Sequence, residues 1–228
     1  MPTLTKNKLG SRGKPEETRA AILQAAIGEF AQEGISGART DAIAASARVN
    51  KALLYYYFKD KETLYGAALD HVFSQLSSGM LEILARDLPP GKKIRAYVGA
   101  YFDFIAGHAH YRSLVQREMM RAGHGSPHMQ RMAKRYFQPL FMKLGEVIRA
   151  GIAAGEFRPV DPLHFVPSII ALVVFYFTSA PIMKAVGGFD PLSPERLAER
   201  RAAVLDFITT ALFRHPESAP RGGSSERS

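Results

Sequence analysis

Apolar residues recur along this chain with the 3.6-residue period of helices, and nowhere with the sustained alternation of a strand. Leu23, Ala26, Ile27 and Phe30 form an i, i+3, i+4, i+7 stripe. Their helix is expected to open at Pro15, whose fixed φ suits a first turn, with Glu16 and Glu17 set against the positive end of the helix dipole. Gly34 is the expected stop. A short second helix follows Thr40, whose hydroxyl is the expected cap, and turns Ile43, Ala44 and Ala47 inward. A third begins after Asn50. A fourth starts at Asp60, another capping residue, with Leu64, Ala68, His71, Val72 and Leu76 along one face.

Beyond the Pro89-Pro90-Gly91 break the same period predicts helices over about 92–106, 109–122, 127–154, 162–185 and 194–214. Three share a start signal: Ser126-Pro127, Asp161-Pro162 and Ser193-Pro194 each set a capping side chain before a proline at the first helical position. Gly107, Gly123, Gly155 and Gly187 are the expected stops, and Pro139 should kink the helix that carries it. The apolar run from Phe165 to Met183 has the length of a membrane span, but it holds Pro167, Pro181, Ser168, Thr178 and Ser179. A buried helix is the expectation there, with no membrane partner.

Composition narrows the chemistry. The chain has 228 residues, 46% of them hydrophobic, enough to fill a core, and a formal charge of +9 that suits a polyanionic partner. Lys6, Lys8, Arg12 and Lys14 make residues 1–14 a flexible basic arm, while the Pro, Gly, Ser and Arg of 215–228 read as a disordered tail. The absence of cysteine removes disulfides, thiolate metal sites and cysteine nucleophiles, and fits a reducing, cytoplasmic setting. The sequence offers no phosphate-binding glycine loop, no HExxH and no GxSxG, so neither an enzyme nor a cofactor is expected. His108, His110, His124 and His128 have no spacing that forces a common face, so no metal is expected either.

The segment from Thr40 to Leu64, TDAIAASARVNKALLYYYFKDKETL, is the informative one. Two short helices joined by a tight turn can present the second to a major groove. On that second helix Leu54 and Phe58 lie four apart with Tyr57 beside them, facing the core. Ala52 and Tyr56 then point outward, flanked by Lys51, Leu53 and Tyr55. Small Ala52 permits close approach, Leu53 suits a thymine methyl, and Lys51 can reach guanine acceptors or phosphate. Thr40 and Lys61, at the starts of the neighbouring helices, are placed to hold the DNA backbone on either side.

These residues resemble the DNA-binding domain of the TetR family, whose signature joins a threonine-led helix, Ile-Ala, Ala-Gly-Val-Ser and Leu-Tyr-x-Tyr-Phe-x-x-Lys-x-x-Leu. Here those positions are Thr40, Ile43-Ala44, Ala47-Arg48-Val49-Asn50, Leu54-Tyr55-Tyr56-Tyr57-Phe58, Lys61 and Leu64. The resemblance covers roughly residues 15 to 75, while Ala154-Gly155-Glu156-Phe157-Arg158 before Asp161-Pro162 is similar in style to the family's regulatory domains. It implies an all-α fold: an N-terminal three-helix helix-turn-helix domain at 15–62, then a helical effector-binding and dimerisation domain at 63–214. It also implies a transcriptional repressor, released from a palindromic operator in double-stranded DNA by a small-molecule effector. By this similarity Lys51, Ala52, Leu53 and Tyr56 read bases, while Thr40, Tyr55, Tyr56 and Lys61 hold phosphates. Arg48 departs from the family's glycine, and if its φ is positive, Arg48→Gly should stabilise the fold.

The last two helices are apolar around most of their circumference, which implies burial on more than one side. A homodimer interface is therefore expected from Phe165, Ile169, Leu172 and Val173 with Val204, Leu205, Ile208 and Leu212. A small, largely apolar or aromatic effector would meet Tyr101, Ile105, Met119, Phe141, Phe175 and Tyr176, although such side chains serve equally well in a solid core. Glu118 is either a polar determinant of that pocket or a solvated side chain. A helical protein that binds hydrophobes and meets membranes through its basic surface is the competing reading. It leaves Thr40 to Lys61 unexplained, and selective retention of one palindromic duplex would separate the two.

Overall fold

The computed structural model describes residues 15–122 and 126–215. The arm at 1–14, Gly123, His124 and the tail beyond His215 lie outside the described residues. No strand occurs among the described residues, and a lone bridge pairs Phe157 with Phe213.

Helix α1 (Pro15–Gly37) buries Ile22, Leu23, Ala26, Ile27 and Phe30. Gly34, at φ 67° and ψ 174°, breaks its ladder without ending it, and one more turn runs on to Gly37. The left-handed φ suits glycine because it has no Cβ to clash. Helix α2 (Thr40–Ser46) follows, and its N-cap is Arg39, with no side-chain cap bond. Thr40 is thus a helical residue and not the cap, because the extended φ/ψ of a cap falls one position earlier. Asn50 does cap α3 (Lys51–Tyr57), its side chain accepting from the Leu53 N–H at 2.7 Å. Asp60 caps α4 (Lys61–Ala85), accepting from the Thr63 N–H at 2.6 Å. Those bonds from Thr63 hold the Asp60 carboxyl below the usual carboxylate range, since they favour its charged form.

Next come α5 (Pro90–Gly107), α6 (Ala109–Ala122), α7 (Pro127–Met132), a π-helical turn at Ala133–Phe137, α8 (Gln138–Ala153), α9 (Pro162–Gly187) and α10 (Pro194–Leu212). Three side chains accept from the backbone as their start signals require: Ser126 from the Met129 N–H, Asp161 from Leu163 and Ser193 from Arg196. Where one helix was expected over 127–154, the π turn intervenes just before Pro139. Proline supplies no N–H and crowds the carbonyl four residues back, so the ladder widens there by a residue. The left-handed cap of α9 is Gly188, at φ 64°, and Gly187 is still helical.

The described residues pack as two compact units: 15–73 together with 113–122 and 126–130, and 74–112 together with 131–215. The division falls inside α4, α6 and α7. The first unit closes around Ile22, Phe30, Ile43, Leu54, Leu64 and Tyr65, with Phe30 and Tyr65 edge to face at 4.9 Å. In the second, α5 packs against α8, α9 and α10.

Within that second unit α9 and α10 turn one stripe inward and leave another open. Ile169, Val173, Val204, Ile208 and Leu212, expected at a dimer interface, lie buried in the protomer's own core. Phe165, Leu172 and Leu205 are half-buried. The large apolar side chains left exposed are Leu163, Phe175, Ile182 and Val186 on α9, the last three within about 40° of one another in helical phase, and Phe207 on α10. Although α9 is long and apolar enough to cross a membrane, only 33% of its most apolar window is buried. The expectation of a buried helix thus holds for one side of it only.

Candidate nucleic-acid interface

Helix α3 stands on the first unit by two anchors, Leu54 at 0% and Phe58 at 2% exposure, with the Arg19 guanidinium 5.0 Å from the centre of the Phe58 ring. Since those anchors lie four residues apart, helical phase sends Ala52 and Tyr56 the opposite way. Ala52 is exposed, and Tyr56 is 80% exposed. Lys51 and Tyr55 are also exposed, while Leu53 and Tyr57 are half-buried at the flanks. The aromatic run thus divides by phase into a gripping pair and a presenting pair.

Two tethers tie this outer surface of α3 to the start of α2. The Thr40 hydroxyl lies 3.3 Å from the Tyr55 hydroxyl. The Lys51 ammonium spans both oxygens of Asp41, at 3.0 Å from Oδ1 and 3.1 Å from Oδ2. Lys61 is partly committed elsewhere: its Nζ donates to the carbonyls of Ser36 and Ala38 at 3.4 and 3.2 Å, closing the turn between α1 and α2. One of its three N–H groups remains for an anion.

A solvent-facing helix with a small residue at its centre, a lysine and two phenols at its edges, and a hydroxyl pair beside it suits a groove and the phosphates that flank it. Two family descriptions match the chain: bacterial regulatory proteins of the tetR family over residues 22–68, and the tetracycline repressor-like C-terminal domain over residues 90–208. The chain belongs to the TetR family of transcriptional regulators. NicS, an HTH-type transcriptional repressor of Pseudomonas putida, is 26% identical over 209 residues, covering 91% of this chain and 98% of that protein. The repressor SCO4008 of Streptomyces coelicolor is 30% identical over 179 residues, or 77% of this chain and 87% of that one. The crystal structure of SCO4942 from the same species superposes with a TM-score of 0.64 at 27% identity, covering 85% of this chain and 97% of that chain. The protein is accordingly a DNA-binding transcriptional regulator and not an enzyme.

In this TetR-family regulator the turn between α2 and α3 holds Arg48 at φ 57°, the one non-glycine residue with positive φ among those described. A left-handed conformation costs an L-residue about 1–2 kcal/mol, part of which glycine's greater freedom when unfolded gives back. Arg48→Gly should therefore raise stability by up to about 1 kcal/mol, readable as a later urea or thermal midpoint. An unchanged midpoint would remove the strain from the account.

The residues expected at an effector site differ in their surroundings. Tyr101, Ile105 and Tyr176 are buried in the second unit, Phe141 is half-buried there, and Phe175 is 69% exposed on the open face of α9. Glu118 and Met119 belong to the first unit, where Met119 is exposed. Glu118 is not solvated: it is fully buried and accepts hydrogen bonds from the Tyr65 hydroxyl and the Ser126 hydroxyl at 2.7 Å, and from Arg121 at 3.2 Å. Burial, and then the bond it donates to Glu118, push the Tyr65 hydroxyl well above the usual phenol range, so it remains a donor. Beside this cluster His128, itself buried, meets Glu62 at 2.7 Å, and Arg117 donates to the α1 carbonyls of Ala31 and Gln32.

Sequence reasoning missed Asp41 as the partner of Lys51, and Arg117, Ser126 and His128 as parts of the head. Their partners lie 8 to 86 residues away, beyond the reach of any local pattern. For Glu118 a signal existed, because Tyr111, Leu114, Val115 and Glu118 fall at i, i+3, i+4 and i+7 on one stripe.

Proposed function

We propose that this regulator is a homodimeric repressor that binds a palindromic operator through α3 and leaves it when a small effector binds the second unit. One observation carries the reading: α3 turns Ala52 and Tyr56 to solvent while Leu54 and Phe58 hold it to the head. Lys51, Ala52, Leu53 and Tyr56 then read bases, and Thr40, Tyr55, Tyr56 and Lys61 hold phosphates.

Two such helices reach successive major grooves when a two-fold axis sets them about 34 to 36 Å apart. Support for that axis comes from the uncovered stripe of α9 and α10. Helices that leave Phe175, Ile182, Val186 and Phe207 in the open gain by having them covered, and a C2 pairing covers both copies at once. The interface proposed from these two helices thus uses their outer residues, with Phe165, Leu172 and Leu205 at its margin.

For the effector, α5 contributes a buried aromatic lining, with the Tyr97 and Tyr101 rings stacked at 5.9 Å and Ile105 further along the same helix. Phe141 of α8 and Tyr176 of α9 come from helices that also pack on α5. An apolar or aromatic molecule would be sandwiched there, and the phenol hydroxyls would select its polar atoms. Because α4 and α6 each place residues in both units, a ligand that favours one arrangement of the second unit biases the heads by its differential affinity, typically about 1–3 kcal/mol.

The test is selection from random duplexes with the purified protein, followed by a search for small molecules that abolish the selected binding. A palindromic consensus that survives moderate salt is the expected result. Binding that is only nonspecific and salt-labile would favour the membrane-facing hydrophobe carrier instead.

A further inference from the structure

Asp41 is the only acidic residue between Thr40 and Phe58, and it is exposed on the surface proposed above to meet DNA. Its side chain is 60% exposed and that of its partner Lys51 is 49% exposed. A pair so open to water adds little to the stability of the fold, and the dipole of α2 that favours an acid in its first turn does not call for Lys51 as its partner. For binding a polyanion without regard to sequence, the pair is a handicap: Asp41 cancels the charge that Lys51 would bring to a phosphate.

The chemistry of the pair fits a different use. One ammonium occupies one lone pair on each carboxylate oxygen and leaves the others free to accept. In the major groove the donor on a base edge that a carboxylate recognises is the N4 amino group of cytosine. The Lys51 ammonium shares one N–H between the two oxygens of Asp41 and keeps the others, and the base-edge acceptors they match are O6 and N7 of guanine. A cytosine donor and guanine acceptors lie side by side on the major-groove edge of a C·G pair.

We propose, as an extension of the DNA-binding reading above, that Asp41 is a specificity-determining residue: Asp41 and Lys51 act together as one reader of a C·G pair in each half-site. Asp41 accepts from cytosine N4, and Lys51, aimed by Asp41, donates to the guanine. The same carboxylate penalises every other placement, because away from that cytosine it faces groove acceptors and phosphates with a like charge. Specificity is thereby gained partly by weakening the wrong complexes.

Duplex selection with the wild-type protein, Asp41→Ala and Asp41→Asn tests this, with the salt dependence of binding to a random duplex measured for each. The wild type should show a C·G preference in each half-site of about 5- to 150-fold, the range of one good base contact. Asp41→Ala should lose it while the other positions keep theirs. Its freed Lys51 should bind random DNA more tightly, with a salt slope steeper by about 1. Asp41→Asn should move the preference at that position toward adenine, whose N6 and N7 an amide side chain matches. Melting should stay near wild type in both variants, since the pair is exposed. Identical preferences at every position in all three proteins, with unchanged salt slopes, would overturn the proposal and leave the DNA-binding reading intact. A wild-type protein that enriches no duplex would overturn both.

Discussion

A double variant carrying Phe175→Glu and Phe207→Glu is expected to sediment as a monomer at micromolar concentration and to lose about two orders of magnitude or more in operator affinity, while melting close to the wild type. The two rings are 69% and 58% exposed, so carboxylates in their place meet water in the free protomer and cost its fold little. In a C2 interface each position occurs twice, and four phenyl rings would be replaced by four charges. Each ring lost forgoes about 1.5–3 kcal/mol of burial, and carboxylates without partners resist desolvation. Loss of the second head accounts for the affinity: joining two binding modules raises apparent affinity about 10²- to 10⁴-fold when both engage. The contrast with a half-operator is informative, because binding to one half-site should hardly change. If the variant remains a dimer, the open stripe of α9 and α10 is not the interface.

That stripe also shows where sequence reasoning reaches its limit. The periodicity of α9 and α10 identified two helices with too much apolar surface for one core, but a helix apolar all round has no phase to say which stripe meets which neighbour. Ile169, Val173, Val204, Ile208 and Leu212 went inward, and Phe175 and Phe207 remained outside. In the head the phase was sharp. Leu54 and Phe58 had to share a face with the apolar residues of α1 and α2, and Ala52 and Tyr56 were thereby forced outward. Caps followed the same logic where the chain enters a helix in an extended conformation, as at Asn50, Asp60, Asp161 and Ser193. Thr40 misled because threonine serves as a cap and also as a first helical residue. What separates the two is the backbone of Arg39, at φ −110° and ψ 121°, and the partner that Tyr55 offers the freed hydroxyl. Both are tertiary facts.

Glu118→Ala is the single substitution expected to cost the head most, about 3–5 kcal/mol, a large share of the stability of an ordinary domain. The carboxylate is fully buried, and it is the acceptor for the Tyr65 hydroxyl, itself 1% exposed, and for the Ser126 hydroxyl. Taking it away leaves those donors enclosed without acceptors, at about 1–3 kcal/mol each, and opens a cavity that its neighbours fill only in part. Arg121 suffers less, since its side chain is 39% exposed and can turn to water. The cost depends on what remains unpaired, so removing both ends should cost less than removing one. The pair Tyr65→Phe with Glu118→Leu, in which no phenol is left searching for an acceptor, should recover a substantial part of the loss in urea midpoints, as a double-mutant cycle would show. A functional consequence follows from the position of the cluster. Glu118 and Arg117 fasten α6 to α4 and α1 of the head, so a head that has lost Glu118 should give up operator affinity even well below its melting temperature. Wild-type melting and wild-type operator binding in Glu118→Ala would mean that this buried carboxylate neither stabilises nor positions the DNA-reading helices.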